Sequence, residues 1–257
     1  MSCVKKIFIG VLLPVISFCI SSYVMAESLS GIYQGHIGKK LSVTMILEQN
    51  KEALIGKYFY EGKFKYLSLE GKVKEGDTFK LNESVQYLVE DHWEEKLSGN
   101  FEGSFKEGEL KGIWTSADKK KSFPFHLKPL KTTLKGLSGE YKCQFSEGKY
   151  YNGFLEMKIE PHQVKHFIMG SVASPNYHTC RVNLAEDFED KPEPVEWVNG
   201  GFNLSCPDEA EGSLMLRNLP DQLWVIVKKC HPCGVQGYLK DFLLDKKSHV
   251  CRAINES

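Results

Sequence analysis

Cys230-His-Pro-Cys233 brings the most reactive side chains in this 257-residue chain to the closest spacing. A Cys-x-x-Cys pair enclosing His and Pro matches a redox-active dithiol, in which a helix N-terminus and the intervening residues lower one thiol pKa. That chemistry needs a βαβ scaffold with substantial chain beyond the motif. Only about two dozen residues follow Cys233, and Gly234-Val-Gln-Gly237 is a poor helix opening. A covalently attached haem would need His directly after the second Cys, where Gly234 stands. A zinc site would need two more ligands, for which Cys180, Cys206, Cys251 and His249 are the candidates.

The remaining chemistry is sparser. His162 and His166 lie four apart in Pro161-His-Gln-Val-Lys-His166, without the Glu of a metalloprotease motif and with too few ligands for a metal. His178, Cys180 and Ser174 are near one another, yet no Gly-x-Ser-x-Gly elbow accompanies them. Neither a phosphate loop nor a dinucleotide fingerprint is present. No catalytic residue, metal or cofactor is therefore expected. Two acidic stretches with embedded aromatics suit binding better. Glu186, Asp187, Phe188, Glu189 and Asp190 open one, and His92 and Trp93 lie within the other. Charge would steer a basic partner and the aromatic would anchor it.

The elements that must position these residues begin after an expected secretory signal. Lys5 and Lys6 precede an apolar run from Ile7 to Ile20, and Val24-Met25-Ala26 offers a cleavage site, so residues 1–26 are read as a signal peptide. Lys+Arg and Asp+Glu number 33 each, and removing Lys5 and Lys6 leaves a net charge near −2. That balance argues against nucleic-acid binding. No second apolar stretch is long enough for a membrane span. Of eight cysteines, two leave with the signal. The other six (Cys143, Cys180, Cys206, Cys230, Cys233 and Cys251) all follow Leu137. An even number in an exported chain reads as disulfides. Among 15 pairings, Cys180–Cys206 and Cys143–Cys251 are expected, with Cys230 bonded to Cys233 or exchanging partners with those.

The fold class is all-β, with two small antiparallel barrel or curved-sheet domains, the second disulfide-stabilised. Residues 27–128 form a cysteine-free meander, 129–136 a basic linker, and 137–257 a disulfide-rich β domain. Eight short strands are expected in the first domain, with hairpin loops at Lys106-Glu-Gly-Glu109 and Ala117-Asp-Lys-Lys120. Ser84 to Glu95 breaks that rhythm and is expected to be a short helix or an acidic loop. In the second domain, Gly237 to Leu244 is the candidate last strand. A word of the form Leu-x-Gly-x-aromatic recurs through the chain and opens both domains, as Leu29-Ser-Gly-Ile-Tyr33 and Leu137-Ser-Gly-Glu-Tyr141. Its three marked residues share one face of a strand.

His178-Thr-Cys180 and the ending Cys230-His-Pro-Cys-Gly-Val-Gln-Gly-Tyr238 resemble the periplasmic lysozyme-inhibitor-like β domains of bacteria over roughly the last 120 residues. The Ser-Gly-x-x-Tyr loop of those inhibitors is matched only by Ser138-Gly-Glu-Tyr141 and Ser30-Gly-Ile-Tyr33, each one residue short. The resemblance implies a disulfide-held barrel that binds and sometimes blocks a cell-wall hydrolase. The expected function is thus a periplasmic or secreted, non-catalytic module that inhibits, or gives immunity against, an envelope hydrolase. Two other classes are open: an apolar-ligand carrier enclosed by Tyr33, Tyr58, Phe101 and Trp114, and a thiol–disulfide oxidoreductase using Cys230 and Cys233.

Overall fold

The computed structural model describes residues 28–256 except 62, 64, 75, 90–91, 133–136, 150, 161–162, 174–177, 184–196, 199, 207–211, 229 and 231–238. No helix occurs among them. Eight antiparallel strands follow one another as a meander: β1 (Gly31–Ile37), β2 (Leu41–Asn50), β3 (Ala53–Tyr60), β4 (Lys65–Lys74), β5 (Thr78–Val89), β6 (His92–Lys106), β7 (Glu109–Ser116) and β8 (Ser122–Pro129). Pairing of β1 with β8, Gly35 opposite Leu127, closes them into a barrel. Closure leaves the barrel with no unpaired edge.

Alternation decides what lies inside. Tyr33, Met45, Leu47, Tyr58, Phe79, Phe101 and Phe125 all belong to one buried cluster. Two glycines allow rings to lie across the barrel wall. Gly103 and Gly112 sit opposite each other, and the Phe125 ring covers both, 2.9 and 2.8 Å from where their Cβ atoms would be. Both expected hairpin loops form. Lys106 pairs with Glu109 around Glu107 and Gly108, whose positive φ angles (+55° and +76°) make the tight turn.

The stretch Ser84 to Glu95 is strand, not helix or loop, in its described residues, Ser84 to Val89 and His92 to Glu95. β5 and β6 continue through it as a long hairpin, with Val85 opposite Lys96 and Val89 opposite His92. Val85, Tyr87 and Val89 extend the two-residue period of Phe79 and Leu81, and β-prone residues at that spacing favour a strand over a helix.

Two sheets make up the second domain. One comprises β9 (Gly139–Glu147), β10 (Tyr151–Glu160), β11 (Gln163–Ala173) and β12 (His178–Asn183). The other runs in order through β13 (Trp197–Val198), β14 (Gly201–Ser205), β15 (Ser213–Asn218), β16 (Gln222–Lys228), β17 (Phe242–Asp245) and β18 (Cys251–Ala253). The expected strand Gly237 to Leu244 is thus β17, which starts at Phe242; residues 237–238 lie outside the described set. The last strand, β19 (Asn255–Glu256), returns to pair parallel with β4 at Lys65 and Tyr66.

The two sheets enclose a second core, in which Tyr141, Leu155 and Phe167 meet Leu216, Val225 and Phe242. The other face of the six-stranded sheet lies against the barrel. Met215, Trp224, Ile226 and Leu243 pack there with Ile32, Ile46 and Phe59, residues on the outside of β1 to β3. Phe59 meets Trp224 edge-on, with ring centroids 4.9 Å apart. The molecule therefore has three layers: barrel, six-stranded sheet and four-stranded sheet.

The recurring word that opens each domain makes the same local structure twice. Tyr33 Oη donates to Leu29 O at 3.1 Å, and Tyr141 Oη donates to Leu137 O at 2.8 Å. Each ring lies over its glycine, Gly31 or Gly139, about 3.6 to 3.7 Å from the would-be Cβ. It is a strand-entry clasp.

Disulfides hold the second domain. Cys143 on β9 bonds to Cys251 on β18, as expected, and joins the two sheets. Cys206 bonds to Cys230, which is the expected alternative of Cys230 exchanging partners; the Cys180–Cys206 pair and a local Cys230–Cys233 pair do not form. The reason is geometric. β14 and β16 both run antiparallel to β15, so Cys206 and Cys230 leave their strands at the same end of the sheet. Cys180 is also disulfide-bonded and fully buried.

Loop length sets the expected effect of removing each bond. The Cys143–Cys251 closure spans 108 residues and Cys206–Cys230 spans 24. The chain-entropy relation gives about 5 kcal/mol for the first and about 3.5 kcal/mol for the second. Urea unfolding of the paired Cys→Ala variants is expected to follow that order. The barrel's Tyr33→Phe variant is expected to lose about 1 kcal/mol, one buried hydrogen bond.

Candidate functional site

Of the residues singled out for partner contact, Glu186, Asp187, Phe188, Glu189 and Asp190 lie outside the described residues. His92 and Trp93 are placed by backbone only. They sit on β6 in the long hairpin, opposite Val89 and Leu88. The thiol motif is divided, because Cys230 is buried and bonded to Cys206. No group of three or more His, Cys, Asp or Glu that could hold a metal occurs among the described residues.

The four side chains proposed to enclose an apolar ligand, Tyr33, Tyr58, Phe101 and Trp114, do face inward, but they fill the space themselves. Tyr58 packs edge-on against Phe101 at 5.5 Å, and Phe101 against Phe125 at 5.2 Å. A guest along this length of the barrel would have to displace these rings.

The unusual group in the barrel is one that the sequence reading passed over. Glu83 takes the next inward position of β5 after Phe79 and Leu81, and is 2% exposed. Donors converge on its carboxylate from three other strands. Tyr58 Oη of β3 donates to Oε2 at 2.5 Å, and Trp114 Nε1 of β7 donates to the same oxygen at 2.6 Å. Ser98 Oγ of β6 donates to Oε1 at 2.6 Å. Ser98 reaches inward because the β5–β6 register shifts between Glu83 and Ser84, leaving it as the extra residue of a bulge. Gly99 is equally required there. A Cβ on it would stand 2.6 Å from Trp114 Nε1, so only glycine lets the indole lie flat enough to reach the acid.

Around this carboxylate lies one end of the barrel. It is the end formed by the β1–β2, β3–β4, β5–β6 and β7–β8 connections. Tyr60 Oη is 3.1 Å from Tyr58 Oη, and Trp114 stacks on Phe123 at 6.0 Å with 10° between planes. Leu41 and Phe123 are 44% and 37% exposed. This rim is an aromatic and aliphatic platform with a buried carboxylate beneath it. Beyond Tyr60 the β3–β4 turn leads to a cleft of about 520 Å³ between barrel and second domain, lined by Phe59, Glu61, Lys63, Leu219, Asp221 and Gln222 among others.

Among the described residues Glu83 makes no ion pair, and three neutral donors stabilise it instead. Burial, and secondarily the Glu83 charge, push the Tyr58 phenol well above its ordinary pKa of 10.0. Burial also raises the Tyr60 phenol, against the opposing effect of its hydrogen bond with Tyr58.

One signal for Glu83 was present in the sequence, a charged residue standing in the inward phase of a strand. The bulge that turns Ser98 onto it had none. No protein-family model matches the chain, and no curated protein or solved structure matches it.

A pH dependence follows from Tyr58. A phenol whose pKa is raised on folding contributes stability that is fully present below its unfolded value near 10 and is lost as pH rises toward the folded value. Urea midpoints from pH 7 to 11 are expected to fall above pH 10 in the native protein. Tyr58→Phe should flatten that fall, while losing about 1.5–3 kcal/mol at pH 7 from the unmade bond to the carboxylate. Parallel pH curves for both proteins would contradict the assignment.

Proposed function

We propose that the chain is an exported, non-catalytic protein-binding module, acting as an inhibitor of, or immunity protein against, a cell-envelope hydrolase, lysozyme being the concrete case. One observation supports binding at the barrel end. The barrel interior is filled by its own rings, whereas Leu41 and Phe123 at the rim present apolar surface to solvent. Exposed apolar side chains grouped around aromatic anchors are the composition of a contact patch. Two disulfide pairs in the second domain are compatible with an oxidising compartment, the periplasm in this reading. Glu186 to Asp190 supply a second, charge-steered contact.

The test is capture from an envelope extract, identification of the captured protein, and titration of its hydrolase activity. Native protein is expected to reduce that activity stoichiometrically. The Leu41→Asp/Phe123→Asp variant should weaken capture at least tenfold, and neutralising the acids of Glu186–Asp190 should chiefly slow association and reduce its salt dependence. If the rim variant captures and inhibits as the native protein does, the rim is not the contact.

A further inference from the structure

Asp241, the other buried acid among the described residues, has Lys57 Nζ at 3.0 Å, and Glu48, partly buried at the junction, has both Arg217 and Lys228. Among the described residues Glu83 has only neutral donors. Beside the acid stand Trp114, whose ring stacks on Phe123, and Tyr60, linked to it through Tyr58. A carboxylate without a cation of its own, among electron-rich rings, attracts one class of group, an organic cation.

Resting on the reading of this end as a protein contact, we propose that the rim takes a lysine or arginine side chain of the partner, its cationic head drawn toward Glu83 and its methylene stem laid on Leu41 and Phe123. Long basic side chains bury their stems on apolar surface in this way. At the same end the β5–β6 hairpin carries Glu95, exposed and accepting from Ser84 Oγ, beside the exposed Lys96, and Lys39, Lys40 and Lys119 to Lys121 lie at the β1–β2 and β7–β8 turns, so the attraction for a cation rests on Glu83 itself.

The probe is the Trp114 indole N–H signal in the NMR spectrum of the full protein, assigned through Trp114→Phe. Butylammonium chloride, butanol and the blocked peptide acetyl-Gly-Lys-Gly-amide are titrated at constant ionic strength. Butylammonium and the peptide are expected to shift the signal saturably, and butanol is not. Glu83→Gln keeps an acceptor oxygen and removes the charge, and it should weaken butylammonium at least tenfold. Phe123→Ala, at an exposed position with little effect on folding, should weaken it about threefold. Equal shifts from butanol and butylammonium would overturn the cation proposal while leaving an apolar contact, and hence the binding function, intact. A response to butylammonium without one to the peptide would overturn it in favour of a small free amine. The butanol comparison needs no variant, so it decides the matter even if Glu83→Gln fails to fold.

Discussion

The packing of the barrel's flank onto the six-stranded sheet is the contact on which the rest of the architecture depends. Phe59 against Trp224 is its centre. Trp224 is fully buried although it lies on the face of β16 turned away from its own domain's core. Without the barrel, that indole with Met215, Ile226 and Leu243 would form a large exposed apolar face, and burying each such side chain is worth about 1.5–3 kcal/mol. The six-stranded sheet is thus a shared middle layer. The chain also ends by returning to the barrel at β4, which ties the second domain to the first at both ends of its sequence.

Charge refines this contact. Arg217 has no exposed surface and donates to Phe202 O, Leu216 O and Glu48 across the junction. Burial lowers its pKa, and Glu48 opposes that shift. Asp241 is the mirror case. Burial raises its pKa, opposed by Lys57 from the barrel and by the Val227 N–H. Each buried charge on one side of the junction is therefore answered by a group on the other. Such pairs add little net stability compared with apolar packing, but removing one member strands a buried charge. A rotated junction would bury Arg217 and Asp241 without partners.

Much of the fold was legible in the sequence because alternation is a strong signal where one face is wet. The eight barrel strands and most later ones fall where the period-two pattern places them. Ser84 to Glu95 was misread because its acids drew attention from Val85, Tyr87 and Val89, which keep the period. The junction was hidden for a different reason. Strands buried on both faces lose alternation, so Leu223-Trp-Val-Ile-Val227 reads as a plain apolar run, while Ile46 reads as an ordinary outward position between Met45 and Leu47, and nothing in one sequence says that these second faces meet. Disulfide pairing was legible only in part. Cys143–Cys251 follows from joining the first and last parts of a domain, whereas Cys206–Cys230 depends on two strands ending at the same end of the sheet. The Leu-x-Gly-x-aromatic word read as a shared strand entry, but its hydroxyl clasp to the leucine carbonyl needed coordinates.

Glu83 stands out against this background because the molecule elsewhere has means to pair its buried charges and here does not use them. A glutamine would be the less costly choice for cross-linking β3, β5, β6 and β7, since an amide can accept from Tyr58 and Trp114 without a charge to desolvate. Keeping a carboxylate under a solvent-reaching aromatic rim makes sense if the charge is needed outside the barrel. The surrounding construction is specific to that end: a bulge that turns Ser98 inward, and a glycine at position 99 that seats Trp114. Among the described residues the opposite end has no counterpart. There the chain enters through the Leu29–Tyr33 clasp, with both residues buried. One end of the barrel is closed by that clasp, and the other holds Glu83 among neutral donors beneath an exposed rim.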